Sequence, residues 1–491
     1  MLQGIAPYNL AYNMKLPGTY AAYAVIMAVF GETIRGIHLG LFLVNSITIL
    51  LVYFLGRRLF GTVCGIVAAA CFAFSSLSNS VLGLAAHATH FVTLFGVGGT
   101  LLLLQAAANR RLTTLFSCGL VFGLAFLMKQ PGFFYGLFGG LFLLWDEIRS
   151  KRVNWLGAAR RFGLFCAGVV LPLAITCAAL AGAGVFDRFW FWTFTYAREY
   201  ALIQPIAQGW LAFQFAFSLL FDAAPGFWLL AMAGIALAFA IPRHRRSGLF
   251  LLAYLVASFG IACPGLYFRE HYFIPLLPAI GLAAGAAIQI ACDRIGRVDY
   301  AKASWAVAFL GLLAGSAQVL FHHRALFFRL NPHEASRALY GLNPFPESIE
   351  IARYIRENSA PGSHIAVIGS EPQIYFYSGR HSATGYIYTY SLMEPHPYAL
   401  TMQQDMIAQI EAAQPEFIVF VFVPTSWLAR NDSHRLIFDW AENYARDRML
   451  TVGLVDIQSP EQTVYLWNER AVAVKPRSAS YLLVLKRKDS L

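Results

Sequence analysis

Apolar runs of about 16 to 23 residues follow one another along the first 321 positions and then cease. They lie at 36–55, 62–82, 88–107, 113–128, 130–146, 160–182, 225–242, 248–264, 272–291 and 303–321. Each is near the ~20 residues that a helix needs to cross a hydrocarbon core roughly 30 Å thick. The gaps between runs differ in charge. Those holding Arg57-Arg58, Arg110-Arg111, Arg149 to Arg161, Arg243-His244-Arg245-Arg246 and Arg294 to Lys302 alternate with gaps that carry few cations. Fifteen lysines and arginines fall in the first set, against six (Lys15, Arg35, Lys129, Arg188, Arg198, Arg269) on the other side outside the tail. Cytoplasmic loops hold the excess of Lys and Arg, so the clusters face the cytoplasm and residues 1–35 and the C-terminal tail face away from it. The pattern predicts a polytopic α-helical membrane protein of about ten transmembrane helices with a C-terminal extracytoplasmic α/β domain. Its expected location is the inner (plasma) membrane of a cell, multi-pass, with a periplasmic or otherwise extracytoplasmic tail.

Within that frame, Lys129-Gln130-Pro131-Gly132 splits 113–146 into two spans, because a proline after lysine and glutamine is costly inside hydrocarbon. Residues 1–35 form an external loop, in which 14–30 read as a helix lying in the membrane interface. Residues 183–224 are too polar or broken to cross. Their run Phe189-Trp190-Phe191-Trp192-Thr193-Phe194-Thr195-Tyr196 suits an aromatic belt at headgroup level or the wall of a lipid-entry groove. Residues 36–321 make the transmembrane domain and 322–491 a soluble one. In the latter, helices are expected at 346–358, 401–413 and 433–447, with strands at 364–369, 416–423, 449–456, 463–467 and 480–486. Alternating signals of this kind argue a small α/β domain.

Composition agrees: 58% of residues are hydrophobic and only 13% charged, against ~25% charged in soluble proteins. The net charge of +11 resides largely in the cytoplasmic gaps, where it meets anionic headgroups, so nucleic acid is not an expected partner. All seven cysteines lie within or beside apolar spans, which leaves the exported tail without a disulfide framework and the chain without zinc spacing.

Gly4-Ile5-Ala6-Pro7-Tyr8, Lys15-Leu16-Pro17-Gly18-Thr19-Tyr20 and Phe30-Gly31 lead into a span ending Leu55-Gly56-Arg57-Arg58-Leu59-Phe60-Gly61. With Leu127-Met128-Lys129-Gln130-Pro131 and His271-Tyr272-Phe273-Ile274-Pro275-Leu276-Leu277-Pro278, this order resembles GT-C-type glycosyltransferases, the group of protein mannosyltransferases and aminoarabinose transferases. The resemblance implies a GT-C-like domain at 36–321. It also implies transfer of a sugar from a polyprenyl phosphate to a lipid, glycan or protein acceptor of the cell envelope at the external membrane face. It requires no cofactor, and a divalent metal is compatible with it. The chemistry needs a base for the acceptor hydroxyl and fixed cations for the departing phosphate. Lys15 matches the lysine of the family's Lys-Pro-Pro element, so the resemblance makes it a donor-phosphate contact. Arg269 and His271, at the external start of a span, join it as phosphate-binding candidates and are expected to converge with it on one external cavity.

The family's catalytic acid follows a first transmembrane helix and precedes Pro-Tyr, whereas this chain has no acid before Glu32. His87 and His90, three apart, are therefore the candidate catalytic residues, as bases or phosphate-orienting groups. With an ordinary imidazole pKa they predict activity that falls as pH drops through roughly 6.5. Glu371, in the polar-aromatic stretch 369–378, is an acid without a supporting motif. Two alternatives differ in kind: a catalytically inactive scaffold of the same fold, and a lipid or solute transporter, which would show charged mid-membrane groups and an internal repeat. The sequence also predicts that the gene begins upstream of Met1. Reading the genomic frame is expected to reveal about 20 apolar residues and then an Asp or Glu; a stop codon directly before Met1 overturns this.

Overall fold

The computed structural model describes residues 1–149, 155–295 and 301–490. Lys151, Arg152 and Arg297, counted above in the cation-rich gaps, lie outside the described residues. Helices stand at all ten expected spans. In order they include α1 (Pro17–Phe30), α2 (Ile34–Leu59), α3 (Thr62–Ser76), α4 (Ala88–Asn109), α5 (Leu112–Met128), α6 (Phe133–Ile148) and α7 (Trp155–Gly182). The helices Ile206–Ala223, Pro225–Ala240, Arg245–Gly260, Leu277–Ile295 and Ala301–His322 follow.

By length and composition, five described helical runs can cross a membrane: α2, α4, α7, Ile206–Ala223 and Glu270–Arg294. A sixth counts if Pro225–Ala240 and Pro242–Gly260, bent by 105°, form one span. The run Ile206–Ala223 departs from expectation, since 183–224 was read as too polar to cross. Its Gln208, Gln214 and Asp222 are offset by Trp210 and four phenylalanines, which leaves a mean hydropathy of 1.2.

The chain divides into two compact units. One comprises Met1–Gly4, Lys15–Gly184 and Gln204–Phe327; the other comprises Ile5–Met14, Val185–Ile203 and Phe328–Leu491. In the first, polar contacts sort the gaps into two sets. Arg110 reaches Asp146 and Glu147, and Arg161 reaches Glu147 at 2.9 Å. Arg58 donates to the carbonyl of Leu104, Ser247 to that of Leu59, and Arg243 pairs with Asp293 at 2.7 Å. All these groups belong to the cation-rich gaps or the helix turns beside them. Lys15, His87, Lys129, Arg269 and His271 gather separately, as described below. The alternation of arginine clusters along the sequence is thus an alternation of helix ends in space.

The second unit centres on a six-stranded mixed sheet in the order β2-β1-β3-β6-β4-β5. Its strands are β1 (His364–Ile368), β2 (His381–Ser382), β3 (Phe417–Phe422), β4 (Met449–Ile457), β5 (Thr463–Trp467) and β6 (Tyr481–Arg487). β1 pairs in parallel with β2 and β3, and the remaining pairs are antiparallel. Helices Phe345–Glu357, Ala399–Ala413 and Leu436–Arg448 occupy the expected positions.

Two segments distant in sequence complete this unit, which a single division at residue 322 did not anticipate. Phe191–Tyr196 is π-helical, and Phe189, Trp192 and Tyr196 are buried rather than set in a headgroup belt. Trp192 packs on Tyr12 and Tyr386, Phe189 on Tyr8, and the Tyr196 hydroxyl donates to Glu394 at 2.5 Å. Burying large aromatic surface against the domain core stabilises these segments more than a half-wet interface would. Glu371 also lies in this unit, at the carboxyl ends of β1 and β3. Ser426 Oγ donates to its carboxylate at 2.8 Å and accepts from the Ser370 N–H. Burial raises the Glu371 pKa to about 7.

The helix Leu277–Ile295 is the most enclosed in the first unit: 94% of its apolar window is buried. Small residues let neighbouring backbones reach it. A Cβ on Gly285 would lie 2.5 Å from the Cys64 carbonyl oxygen, one on Gly281 2.7 Å from that of Ala68, and one on Gly234 1.8 Å from that of Ala283. Gln289 Oε1 accepts the N–H groups of Val63 and Cys64 and so caps the start of α3. Close approach of this kind is how helices associate where lipid offers no hydrophobic gain.

Two predictions arise. Gly285→Leu is expected to force α3 off this helix and destabilise the protein by at least the ~1–3 kcal/mol of an overpacked core, read as a lower melting temperature in detergent. Glu371, whose folded pKa lies above its unfolded value, contributes stability that is fully present below about pH 4.5 and lost as pH rises through about 7. Glu371→Gln is expected to abolish up to ~3 kcal/mol of this decline between pH 5 and 8, measured by melting; an unchanged pH profile contradicts it.

Candidate functional site

Three chain segments of the first unit supply the site. The first is the entry to α1. Leu16 is fully buried at its N-cap, and Pro17 occupies the first helical position. Gly18 has no side chain where a Cβ would stand 2.4 Å from the Leu127 carbonyl oxygen. Thr19 Oγ1 donates to the Met128 carbonyl at 2.6 Å. Lys15 is thereby set against the end of α5.

The second segment is the break that follows α5. Lys129 is extended (φ −159°, ψ 138°) before the 3-10 turn Gln130–Gly132, and the Gly132 N–H donates to its carbonyl at 2.8 Å. Its ammonium lies 3.5 Å from the centroid of the Tyr272 ring, a cation–π contact worth most where water is excluded.

The third is the 3-10 turn Glu270–Leu276, which leads into Leu277–Ile295. The Tyr272 N–H donates to the Arg269 carbonyl at 2.8 Å. The His271 ring stacks on that of His87, with centroids 3.9 Å apart and planes 9° from parallel. His87 caps α4, and its own N–H donates to the Ala85 carbonyl. Tyr23 of α1 donates its hydroxyl to the Ala86 carbonyl, which ties the same loop to α1.

His90, one turn into α4, is 1% exposed and sits 3.0 Å from Asn45 of α2 through Nδ1. Nε2 of both His87 and His90, and Nδ1 of His271, are buried without a hydrogen-bond partner among the described residues.

Electrostatically the cluster is one-sided. Lys15 keeps accessible surface, yet enough protein surrounds it that burial lowers its pKa. Burial lowers the Lys129 pKa to about 7, and repulsion from Lys15 and Arg269 adds to the shift. His271 feels His87, Lys129, Arg269 and Lys15. Lys15 and Arg269 therefore share the neighbourhood of Lys129 and His271. For His87 the pKa is lowered to about 3, by burial first and then by His90, Lys15 and Lys129. Among the described residues, no carboxylate acts on Lys129 or His87.

In the site without an anion, His87 is thus held neutral well below pH 6.5, the value at which the sequence places its titration. The five sequence candidates thus split. Lys15, Arg269, His271 and His87 gather around Lys129, while His90 turns to Asn45 and bears on the group through His87. Sequence reasoning missed Lys129 and Tyr272 as site residues. The signal was present, since a lysine that breaks an apolar hairpin is by default a functional position.

Among the described residues no three His, Cys, Asp or Glu side chains converge to hold a metal ion, and two imidazoles stacked face to face point their nitrogens along parallel planes. A divalent metal does not fit this donor set. Two lysines and an arginine gathered beside imidazoles instead favour an anion with several acceptor oxygens.

The sequence profile of the dolichyl-phosphate-mannose-protein mannosyltransferase family matches residues 15–175, a stretch that includes Lys15, His87, His90 and Lys129. No curated protein sequence matches the chain. Among solved structures, ArnT from Cupriavidus metallidurans in the apo state aligns with a TM-score of 0.52 and 17% identity, over 98% of this chain and 89% of that one. The same protein bound to undecaprenyl phosphate aligns with a TM-score of 0.52 and 16% identity, over the same shares. The archaeal oligosaccharyltransferase AglB from Archaeoglobus fulgidus, in complex with an inhibitory peptide and a dolichol-phosphate, gives 0.50 and 13% over 94% of this chain and 68% of that one. At these identities the likeness is one of fold: a helical membrane domain followed by a mixed α/β domain.

Proposed function

We propose that the chain is a glycosyltransferase that moves a sugar from a polyprenyl-phosphate donor to an envelope acceptor at the external face of the inner (plasma) membrane. The observation that carries this reading is the gathering of Lys15, Lys129 and Arg269 beside His87 and His271, set where helices of a membrane domain end. The family profile over 15–175 and the ArnT-like fold support it. The excess of arginine at the opposite helix ends supports an external location for the cluster and the C-terminal domain.

In this mechanism the three cations hold the donor phosphate and stabilise the charge that grows on it as the sugar departs. An anion among them reverses the local field and brings His87 and His271 back toward their ordinary basicity. His87 then takes the acceptor hydroxyl proton through Nε2, which has no hydrogen-bond partner among the described residues, and His90, beside Asn45, bears on it. Tyr272 steers Lys129 by holding its ammonium over the ring. A second reading rests on one observation, that among the described residues no carboxylate acts on Lys129 or His87. It is a lipid-phosphate binder of the same fold without transfer activity.

Sugar transfer from a polyprenyl-phosphate sugar tests both. Lys15→Ala and Lys129→Ala are each expected to lower kcat/KM by roughly 10²–10³-fold, the cost of removing one donor to a developing oxyanion. Donor binding without transfer by the wild type would leave the second reading. Lys129, with a pKa near 7 when free, must be protonated to hold the phosphate, so donor affinity is expected to fall as pH rises above 7. The slope approaches about tenfold per pH unit until the raised pKa of the complex is reached. Lys129→Arg, always charged, should flatten that decline; a slope unchanged in this variant excludes Lys129 as its source.

A further inference from the structure

The cation–π pair of the site joins two arms of the first unit that are distant in sequence. Lys129 belongs to the arm that runs from α5 through the turn Gln130–Gly132 into α6, and Tyr272 to the turn Glu270–Leu276. Each arm is stiff. Gly132 lies so near α5 that a Cβ on it would stand 2.3 Å from the Ala125 carbonyl oxygen, and α6 follows without a break. The turn Glu270–Leu276 runs directly into Leu277–Ile295. Stiff arms keep their internal geometry, so the placement of Lys129 against Tyr272 depends on what ties one arm to the other.

Tyr135 makes such a tie. It stands in the first turn of α6 and is fully buried. Its hydroxyl donates to the Pro275 carbonyl at 3.2 Å, and from Tyr272 to Pro275 is three residues, at most ~11 Å of extended chain. The 3-10 partner of that carbonyl would be the N–H of residue 278, but Pro278 has none, which leaves it acceptor capacity for a side chain. Ser258 Oγ stands 3.5 Å from the same phenol oxygen. Gly96 of α4 admits the ring, since a Cβ there would lie 2.1 Å from it.

Tyr254 offers an internal comparison. It is equally buried and stacks on Tyr135, with centroids 5.8 Å apart and planes at 22°. Its hydroxyl makes no hydrogen bond to the turn among the described residues. Of two tyrosines in one layer, Tyr135 alone of the pair holds the segment that carries Tyr272.

We propose that Tyr135 is a positioning residue for the donor-phosphate site: its hydroxyl, by holding the Pro275 carbonyl, keeps the Tyr272 ring against the Lys129 ammonium and so fixes where that ammonium meets the phosphate. The inference rests on the reading of Lys129 as a phosphate contact. Tyr135 acts through Tyr272, and its loss leaves every phosphate-facing side chain in place.

The test is binding of undecaprenyl phosphate to the purified protein in nanodiscs, measured well below the lowest melting temperature of the set. Tyr135→Phe removes one oxygen and keeps the ring beside Gly96; it is expected to raise the Kd about fivefold, the scale of one buried hydrogen bond. Tyr272→Leu, which removes the cation–π partner, should raise it about tenfold. If Tyr135 acts through Tyr272, the double variant also binds about tenfold more weakly, whereas independent effects multiply to roughly fiftyfold. Tyr254→Phe should bind within about twofold of the wild type, having no bond to the turn to lose. A fiftyfold loss in the double variant, a wild-type Kd in Tyr135→Phe or Tyr272→Leu, or an equal loss in Tyr254→Phe overturns the positioning role. Lys129→Ala separates the two ideas: weak binding there leaves the phosphate contact standing whatever Tyr135 does, and a wild-type Kd overturns the contact and the positioning role with it.

Discussion

Direct backbone contact around Leu277–Ile295 is the constraint on which the rest of the membrane unit depends. Between helices in lipid there is no hydrophobic gain to draw them together, so packing and satisfied polar groups must do it. Gly281, Gly285 and Gly234 permit contact at backbone distance, and Gln289 spends its carbonyl on the first amides of α3. The 3-10 turn at the head of this helix carries Arg269, His271 and Tyr272. Rigid packing below therefore becomes rigid placement of the charged and aromatic groups above, against α1, α4 and α5.

Those groups repel one another. Lys15, Lys129 and Arg269 are brought together by helix ends whose energies lie elsewhere, in buried apolar surface and in bonds such as Thr19 to Met128. Repulsion is tolerated by giving up charge: Lys129 sits near neutrality around pH 7, and His87 is uncharged. A site so arranged gains most from an anion, since one ligand relieves several unfavourable interactions at once.

Much of the fold was legible in the sequence because its signals are one-dimensional. Span length and the alternation of arginines report membrane crossing directly, and the strands and helices after residue 340 follow local periodicity. Ile206–Ala223 was harder, since its glutamines and aspartate obscure a marginally apolar helix. Membership of the second unit was not legible at all. Nothing local in Tyr8, Tyr12 or Trp192 says that the first packs on Phe189 and the other two on Tyr386. Of the site, Arg269, His271 and His87 could be named from loop position, and Lys15 from the resemblance of its Lys-Leu-Pro element. Lys129 was signalled by its place in an apolar hairpin, whereas Tyr272 required knowing that two distant loops meet, and the neutral state of His87 required knowing which cations surround it.

The bond from the Tyr12 N–H to the Gly385 carbonyl also has a bearing on biogenesis. Tyr12 pairs with Gly385 across some 370 residues of chain, a separation that makes closure late and slow. At ~5–20 residues per second of synthesis, the N-terminal strap emerges on the order of 20 to 75 seconds before its partner exists. Through that interval Tyr8, Tyr12 and the aromatic helix around Trp192 have no domain to enter, and their rings are open to the lipid surface or to a chaperone. A segment made late therefore completes one made early, and a chain truncated before Gly385 leaves Tyr12 without its partners there.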